Sequence, residues 1–255
     1  MLIIISPAKT LDFQKEITTT DYSIPENLDK SELLVSTLKK KSPKKLSELM
    51  SISLKLAQLN YERFQEWQLP FSPENAKQAV FVFKGEVYVG LDISRFSNED
   101  LAYAQNRLRI LSGLHGLLKP LDLIQPYRLE MGTKLKYRRK NNLYEFWGDL
   151  ITKSLQTALQ EQNDDVLINL ASDEYFKGID KKQLKARIIT PVFKDFKNGE
   201  YKFLSFYGKK ARGMMTRYIL LNRINKVDDL KFFEEDGYFY NDNLSSGDQL
   251  VFTRG

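Results

Sequence analysis

The sequence predicts an α/β fold, a mixed sheet surrounded by helices in an unusual single-domain arrangement over residues 1–255. Two short apolar runs, "LIIIS" at the N-terminus and "DDVLINLA" at 164–171, have the length and composition of buried strands. Leu143 to Gln160 place Leu143, Trp147, Leu150, Ile151 and Ala158 on one helical face, with Glu145, Asp149, Thr152 and Gln156 opposite. "ARIITPVFKDFKNGEYKFLSFY" centres two strand-like runs on Asn198-Gly199, the strongest hairpin signal in the chain. Strands and helices mix without strict βαβ alternation, and no repeat or linker divides the chain.

In chain order, "LIIIS" ends at Pro7 and a polar loop follows through "TTTDYS". A helix is expected from Pro25 to about Lys41, broken by Ser42-Pro43. Another is expected over Ser47 to Glu66, and a third from Ser72-Pro73, where Ser would cap and Pro take the first helical position. "AVFVF" and "EVYVG" read as β-rich runs on either side of Lys84-Gly85. "SNEDLAYAQNRLRILSG" has an acidic start, an apolar stripe and a glycine stop, so it reads as a helix ending near Gly113. Lys209 to Arg223 reads as a helix with Ala211, Met214, Met215, Tyr218 and Leu221 on one side and five basic residues opposite. The C-terminal segment is a turn between β-like runs.

With 42% hydrophobic and 28% charged residues, the composition is that of a folded chain. No cysteine is present, which excludes thiol catalysis and thiolate metal sites; the single histidine excludes a multi-His metal site. No apolar run approaches the roughly 20 residues that cross a bilayer, and the N-terminus lacks the basic region of a signal peptide. The simplest reading is a soluble, cytoplasmic protein without a membrane partner; a monomer is favoured, though the sequence does not fix the oligomeric state.

The net charge of +6 is unevenly spread. Leu101 to Lys153 carry ten Lys/Arg against four Asp/Glu, and Lys202 to Arg217 carry five basic residues and no acidic one. Clustered basicity points to a polyanion. Five basic residues fall within Lys134 to Lys140; if extended, Lys134, Lys136 and Arg138 would share one face, with Tyr137 and Arg139 on the other. The alternative is an exposed, solvated loop.

In "LSGLHGLLKPLDLIQPYRLEMG", His115 lacks the surroundings of a catalytic base. Gly113 and Gly116 permit close backbone approach, so the turn either offers amides to a phosphate, with Lys119 nearby, or simply ends a helix. "SPAKT" is at most a loose anion loop, since it lacks the glycines of a phosphate-binding loop.

Together "LIIISPAKTLDF", "FKGEVYVGL", "LSGLHGLLKPLDLIQPYRLEMG", "LYEFWGDLI", "NLASDEYFK" and "SFYGKKARGMMTRYI" resemble the YaaA family of bacterial peroxide-stress proteins, essentially end to end. The resemblance implies a cytoplasmic protein, induced by hydrogen peroxide, that limits DNA and protein damage and is linked to lower free intracellular iron. It also implies DNA binding through a basic cleft and a helix-hairpin-helix-like segment. That segment maps here to about residues 98–125: a helix from Asn98 to Arg109, the "LSGLHG" hairpin, and a second helix after Gly116. His115 departs from the Tyr expected in many members.

The leading expectation is largely sequence-independent binding of duplex, branched or damaged DNA, without turnover or cofactor. Gly113, Gly116, Lys119, Arg128, Lys134, Lys136, Arg138, Arg139, Lys209, Lys210 and Arg212 are its candidate contacts. The rival is an enzyme acting on a nucleotide, damaged base or other small anion, with Ser6, Lys9, Arg128, Glu130, Asp149, Lys209 and Arg212 in one pocket. Convergence of these groups would favour the pocket, and scatter along a groove the DNA clamp. No metal site is expected, since carboxylates and one histidine are the only ligands available.

Overall fold

The apolar N-terminal run becomes the middle of the sheet. Leu2 to Ile5 are all buried although successive strand side chains point to opposite faces, so both faces of the sheet are covered there. The structure, a computed structural model, describes residues 1–15 and 17–255. Its strands are β1 (Leu2–Ile5), β2 (Thr10–Leu11), β3 (Lys77–Gln78), β4 (Phe83–Lys84), β5 (Leu108–Ser112), β6 (Gly116–Leu118), β7 (Leu123–Ile124), β8 (Val166–Leu170), β9 (Arg187–Lys197), β10 (Glu200–Lys202), β11 (Phe239–Tyr240) and β12 (Gln249–Arg254). Its helices are α1 (Leu28–Lys39), α2 (Pro43–Met50), α3 (Leu54–Glu66), α4 (Ala79–Val82), α5 (Glu86–Leu91), α6 (Asn98–Arg107), α7 (Leu143–Trp147), α8 (Leu150–Glu161), α9 (Asp173–Phe176) and α10 (Ser205–Leu221).

The main sheet runs β11-β12-β9-β8-β1-β5-β6, with β10 folded back on β9. β5, β1, β8, β9 and β12 are mutually parallel, while β6, β10 and β11 are antiparallel additions. The mixed α/β expectation therefore holds. Ile3 pairs with both Leu108 and Ile168, which sets β1 between its two neighbours. The hairpin at Asn198-Gly199 forms as expected, with both turn residues in the left-handed region at φ 53° and 83°.

Several expectations are corrected. "AVFVF" is helix α4 through Val82, with only Phe83 entering the two-residue strand β4, and "EVYVG" forms the short helix α5 after it. Burial decides this, because Val87, Tyr88 and Leu91 reach the core together only on a helical face, and Gly90 meets α10. The helix from Asn98 stops at Arg107, where Leu108 to Ser112 instead pair with β1. A short buried apolar run suits either helix or strand, and pairing with the sheet settles it. Residues 98–125 are thus a helix followed by the β5–β6 hairpin, and the second helix of a helix-hairpin-helix does not form.

Ser72 to Asn75 make one hydrogen-bonded turn and no helix. Ser47 to Glu66 divide at Ser51, whose left-handed backbone ends α2 before Ser53 caps α3. Leu143 to Gln160 divide at Gly148, at φ 52°, and Thr152 faces inward, its hydroxyl oxygen accepting from the Asp180 amide at 2.9 Å.

His115 is fully buried, with Ser31 Oγ 2.9 Å from Nδ1 and the Phe71 and Tyr127 rings around it. Burial lowers its pKa from 6.5 to about 3. The unfolded chain therefore takes up a proton that the folded one refuses, and stability falls as pH drops below the ordinary histidine value. Between pH about 6.5 and 5 this group alone is expected to remove roughly 2 kcal/mol. Urea unfolding at both pH values checks this: in His115→Phe that share of the acid sensitivity should vanish, and equal loss in both proteins would refute it.

Candidate functional site

Both apolar runs end in the same way, "IIIS" and "NLAS". Ser6 follows β1, and Ser172 follows β8 one residue after Ala171, so the parallel pairing brings the two serines together. The Ser172 amide donates to Ser6 Oγ at 2.9 Å, and the two hydroxyls lie 3.3 Å apart. The Tyr88 hydroxyl, from α5, donates to the Ser6 carbonyl at 3.2 Å. Burial, with Tyr127 and Tyr175 nearby, holds the Tyr88 phenol protonated well above its ordinary pKa, which keeps it a donor.

These groups form the floor of a cavity of about 340 Å³. Lys9 and Ala8 from the loop after β1, Lys84 and Gly85 before α5, and Lys209 and Arg212 from α10 surround it. Lys84 is held 3.0 Å from Asp12. Arg212 lies mostly buried, stacked 5.5 Å from the Phe203 ring, with no carboxylate within 4 Å among the described residues. Its burial pulls the guanidinium pKa below the ordinary arginine value, with Asp173 as the compensating charge.

Of the seven residues expected in one pocket, Ser6, Lys9, Lys209 and Arg212 converge there. Arg128 and Glu130 adjoin it. Glu130 Oε1 accepts from Arg128 at 2.9 Å and lies 3.6 Å from Lys9 Nζ, and its other oxygen is buried without a hydrogen-bond partner among the described residues. Asp149 lies elsewhere, exposed and paired with Lys153 at 2.5 Å. Sequence reasoning missed Tyr88, Ser172, Glu174 and Tyr175 as lining residues; the repeated strand-then-serine ending was the available signal.

The expected DNA contacts divide. Gly113 and Gly116 are buried, and the Trp147 indole donates to the Gly113 carbonyl at 3.0 Å while its ring lies against Gly116. Their turn therefore offers no amide to a phosphate at the surface, because the hairpin points into the core. Arg128 is similarly committed to Glu130. Lys119 opens onto a separate cavity with Arg109 and Asp122, and Lys210 lies 3.4 Å from Asp236. Lys134, Lys136, Arg138 and Arg139 are exposed, and buried Thr133 and Leu135 alternate with Lys134 and Lys136 as expected of an extended segment. The chain then turns at Tyr137–Lys140, with Arg138 at φ 52°, so Arg138 does not continue that face. None of the basic residues from Lys134 to Lys140 has a carboxylate within 4 Å among the described residues. A groove whose charged lining is Lys9, Lys134, Glu48, Glu130 and Glu174 shares Lys9 and Glu174 with the cavity.

A family model described as "Peroxide stress protein YaaA" matches residues 1–244. The chain belongs to this family. The match takes in every strand of the YaaA-family sheet except β12 and both walls of the cavity. Among the described residues no helix is long and apolar enough to cross a membrane. Nor do three or more His, Asp or Glu side chains among them come together as a metal-binding group.

Proposed function

We propose that this peroxide stress protein works in the cytoplasm as a monomer that binds DNA, largely independently of sequence, and so limits oxidative damage in step with control of free iron. The unpaired basic run Lys134 to Lys140 supports this reading most directly. Exposed cations on a short segment and the turn that follows it, without carboxylate partners among the described residues, suit phosphates spaced along a backbone. The groove through Lys9 joins Lys134 to the cavity that holds Lys209 and Arg212. Arg128 and Lys9 offset Glu130 there, while Glu48 and Glu174 also line it, so the phosphate contacts are assigned to the Lys134–Lys140 run.

Titration of a labelled duplex between about 50 and 200 mM salt tests the proposal: four or five phosphate contacts predict a log–log slope near −4. A slope near zero would end it. Branched and mismatched duplexes, on protein free of nuclease activity, would then rank the preferred DNA structure.

The convergence of Ser6, Lys9, Lys209 and Arg212 favours a second reading, action on a small anionic substrate. Ser6 Oγ meets only Ser172 among the described residues, with neither a histidine nor a carboxylate as its base. The cavity is therefore better suited to holding an anion than to turning it over.

A further inference from the structure

We propose that the cavity between the ends of β1 and β8 binds the terminal phosphate of a nucleotide, with the nucleoside against its tyrosine wall. The position comes from topology. β1 and β8 are adjacent and parallel, but the chain continues from β1 to β5 on one side and from β8 to β9 on the other. Their carboxyl ends thus diverge into a crevice, the place where open α/β sheets receive ligands.

Lys9, Lys84, Lys209 and Arg212 outnumber Glu86 and Glu174 on the cavity lining, and the Glu174 carboxylate is already engaged by the Gly132 amide at 2.9 Å. The decisive positive charge is Arg212, which among the described residues has only Asp173 at longer range. The other arginines in and just after α10 are neutralised, Arg217 by Glu235 at 2.5 Å and Arg223 by Asp100 at 2.7 Å. Arg212 is mostly buried yet has no such partner among the described residues. A desolvated guanidinium is costly unless an anion shares the site, and its planar fork fits phosphate oxygens. Lys209 stands one turn away on the same helix and Lys9 faces it from the loop after β1, with the hydroxyls of Ser6 and Ser172 beneath.

Size and wall chemistry narrow the ligand. Small-molecule sites span roughly 300–1,000 Å³, and about 340 Å³ suits one nucleotide better than a dinucleotide. Val87, Tyr88, Leu170 and Tyr175 supply an apolar, aromatic wall that suits a flat ring. A free nucleoside monophosphate and a phosphorylated DNA strand end present the same chemistry. This site is distinct from the Lys134–Lys140 run and does not depend on that run contacting DNA.

Calorimetric titration of the full chain with the four common nucleoside 5′-monophosphates, inorganic phosphate, adenosine, and 5′-phosphorylated and 5′-hydroxyl tetranucleotides tests it. At least one phosphorylated nucleoside ligand should saturate a single site with Kd below about 1 mM. Adenosine should not bind, and inorganic phosphate should bind at least tenfold more weakly. Arg212→Gln and Lys209→Glu should each weaken binding about tenfold or more. Lys209 is exposed, so its variant reports even if Arg212→Gln fails to fold. Tight binding of monophosphates identifies the free nucleotide, and binding of the phosphorylated tetranucleotide alone identifies the strand end. Absence of saturable binding, equal affinity in Lys209→Glu and wild type, or adenosine binding as tightly as its monophosphate would overturn the proposal. A variant with Arg138, Arg139 and Lys140 reversed to Glu should retain nucleotide affinity, so a failure of the DNA reading is seen separately.

Discussion

Gly213→Ala is expected to destabilise the protein by about 3 kcal/mol, the largest cost of any single methyl group added to its core. A Cβ at Gly213 would overlap the Val87 carbonyl oxygen and lie 2.6 Å from the Leu91 nitrogen. The approach is reciprocal, since a Cβ at Gly90 would overlap the Lys210 carbonyl oxygen and lie 2.9 Å from the Met214 nitrogen. α5 and α10 therefore touch backbone to backbone, and neither obstacle is a side chain that could turn aside. Gly199→Ala separates this cause from ordinary backbone strain. Gly199 sits at φ 83° with open space around it, so its substitution should cost only about 1 kcal/mol. Urea unfolding of both variants checks the ranking, and equal costs would show that helix contact is not what matters. Because α10 carries Lys209 and Arg212, Gly213→Ala should also weaken anion binding in whatever fraction remains folded.

That contact also shows where sequence reading reached its limit. β1, β8 and the Asn198-Gly199 hairpin were legible because wholly apolar runs and a left-handed turn leave few local alternatives. "EVYVG" was not, because its β-branched residues favour a strand in isolation and become helical only against Gly213. "LRILS" was misread for the opposite reason: it continues the stripe of a good helix, yet Ile3 to Ile5 offer it a parallel edge.

Half of the candidate site was legible, for a related reason. Lysine and arginine announce themselves by charge, and Lys9, Lys209 and Arg212 were picked out with Ser6. Ser172, Tyr88 and Tyr175 read as ordinary residues until parallel pairing brings 6 and 172 together, a contact between positions 166 apart. The two glycines around His115 misled because their freedom is used for burial. Gly116 leaves room for the Trp147 ring, and the turn faces the core.

Reversing charge at Arg138, Arg139 and Lys140 is the change expected to affect DNA binding most. These residues are exposed, so the fold should tolerate Glu at each position. Arg138 is at φ 52° and Tyr137 bridges to Lys140, so the three sit on a defined turn beside Tyr137, with the Arg138 guanidinium 5.4 Å from that ring. Each phosphate contact releases about 0.9 of a counterion, so three lost contacts should lower the log–log salt slope by roughly 2.7. Extrapolated from 1 M to 0.1 M salt, that slope corresponds to an affinity loss on the order of 10²- to 10³-fold, before any repulsion from the new carboxylates. Loss of affinity with an unchanged slope would mean that the turn acts through shape and not charge. Unchanged affinity and slope would move the DNA-binding surface away from 134–140 altogether.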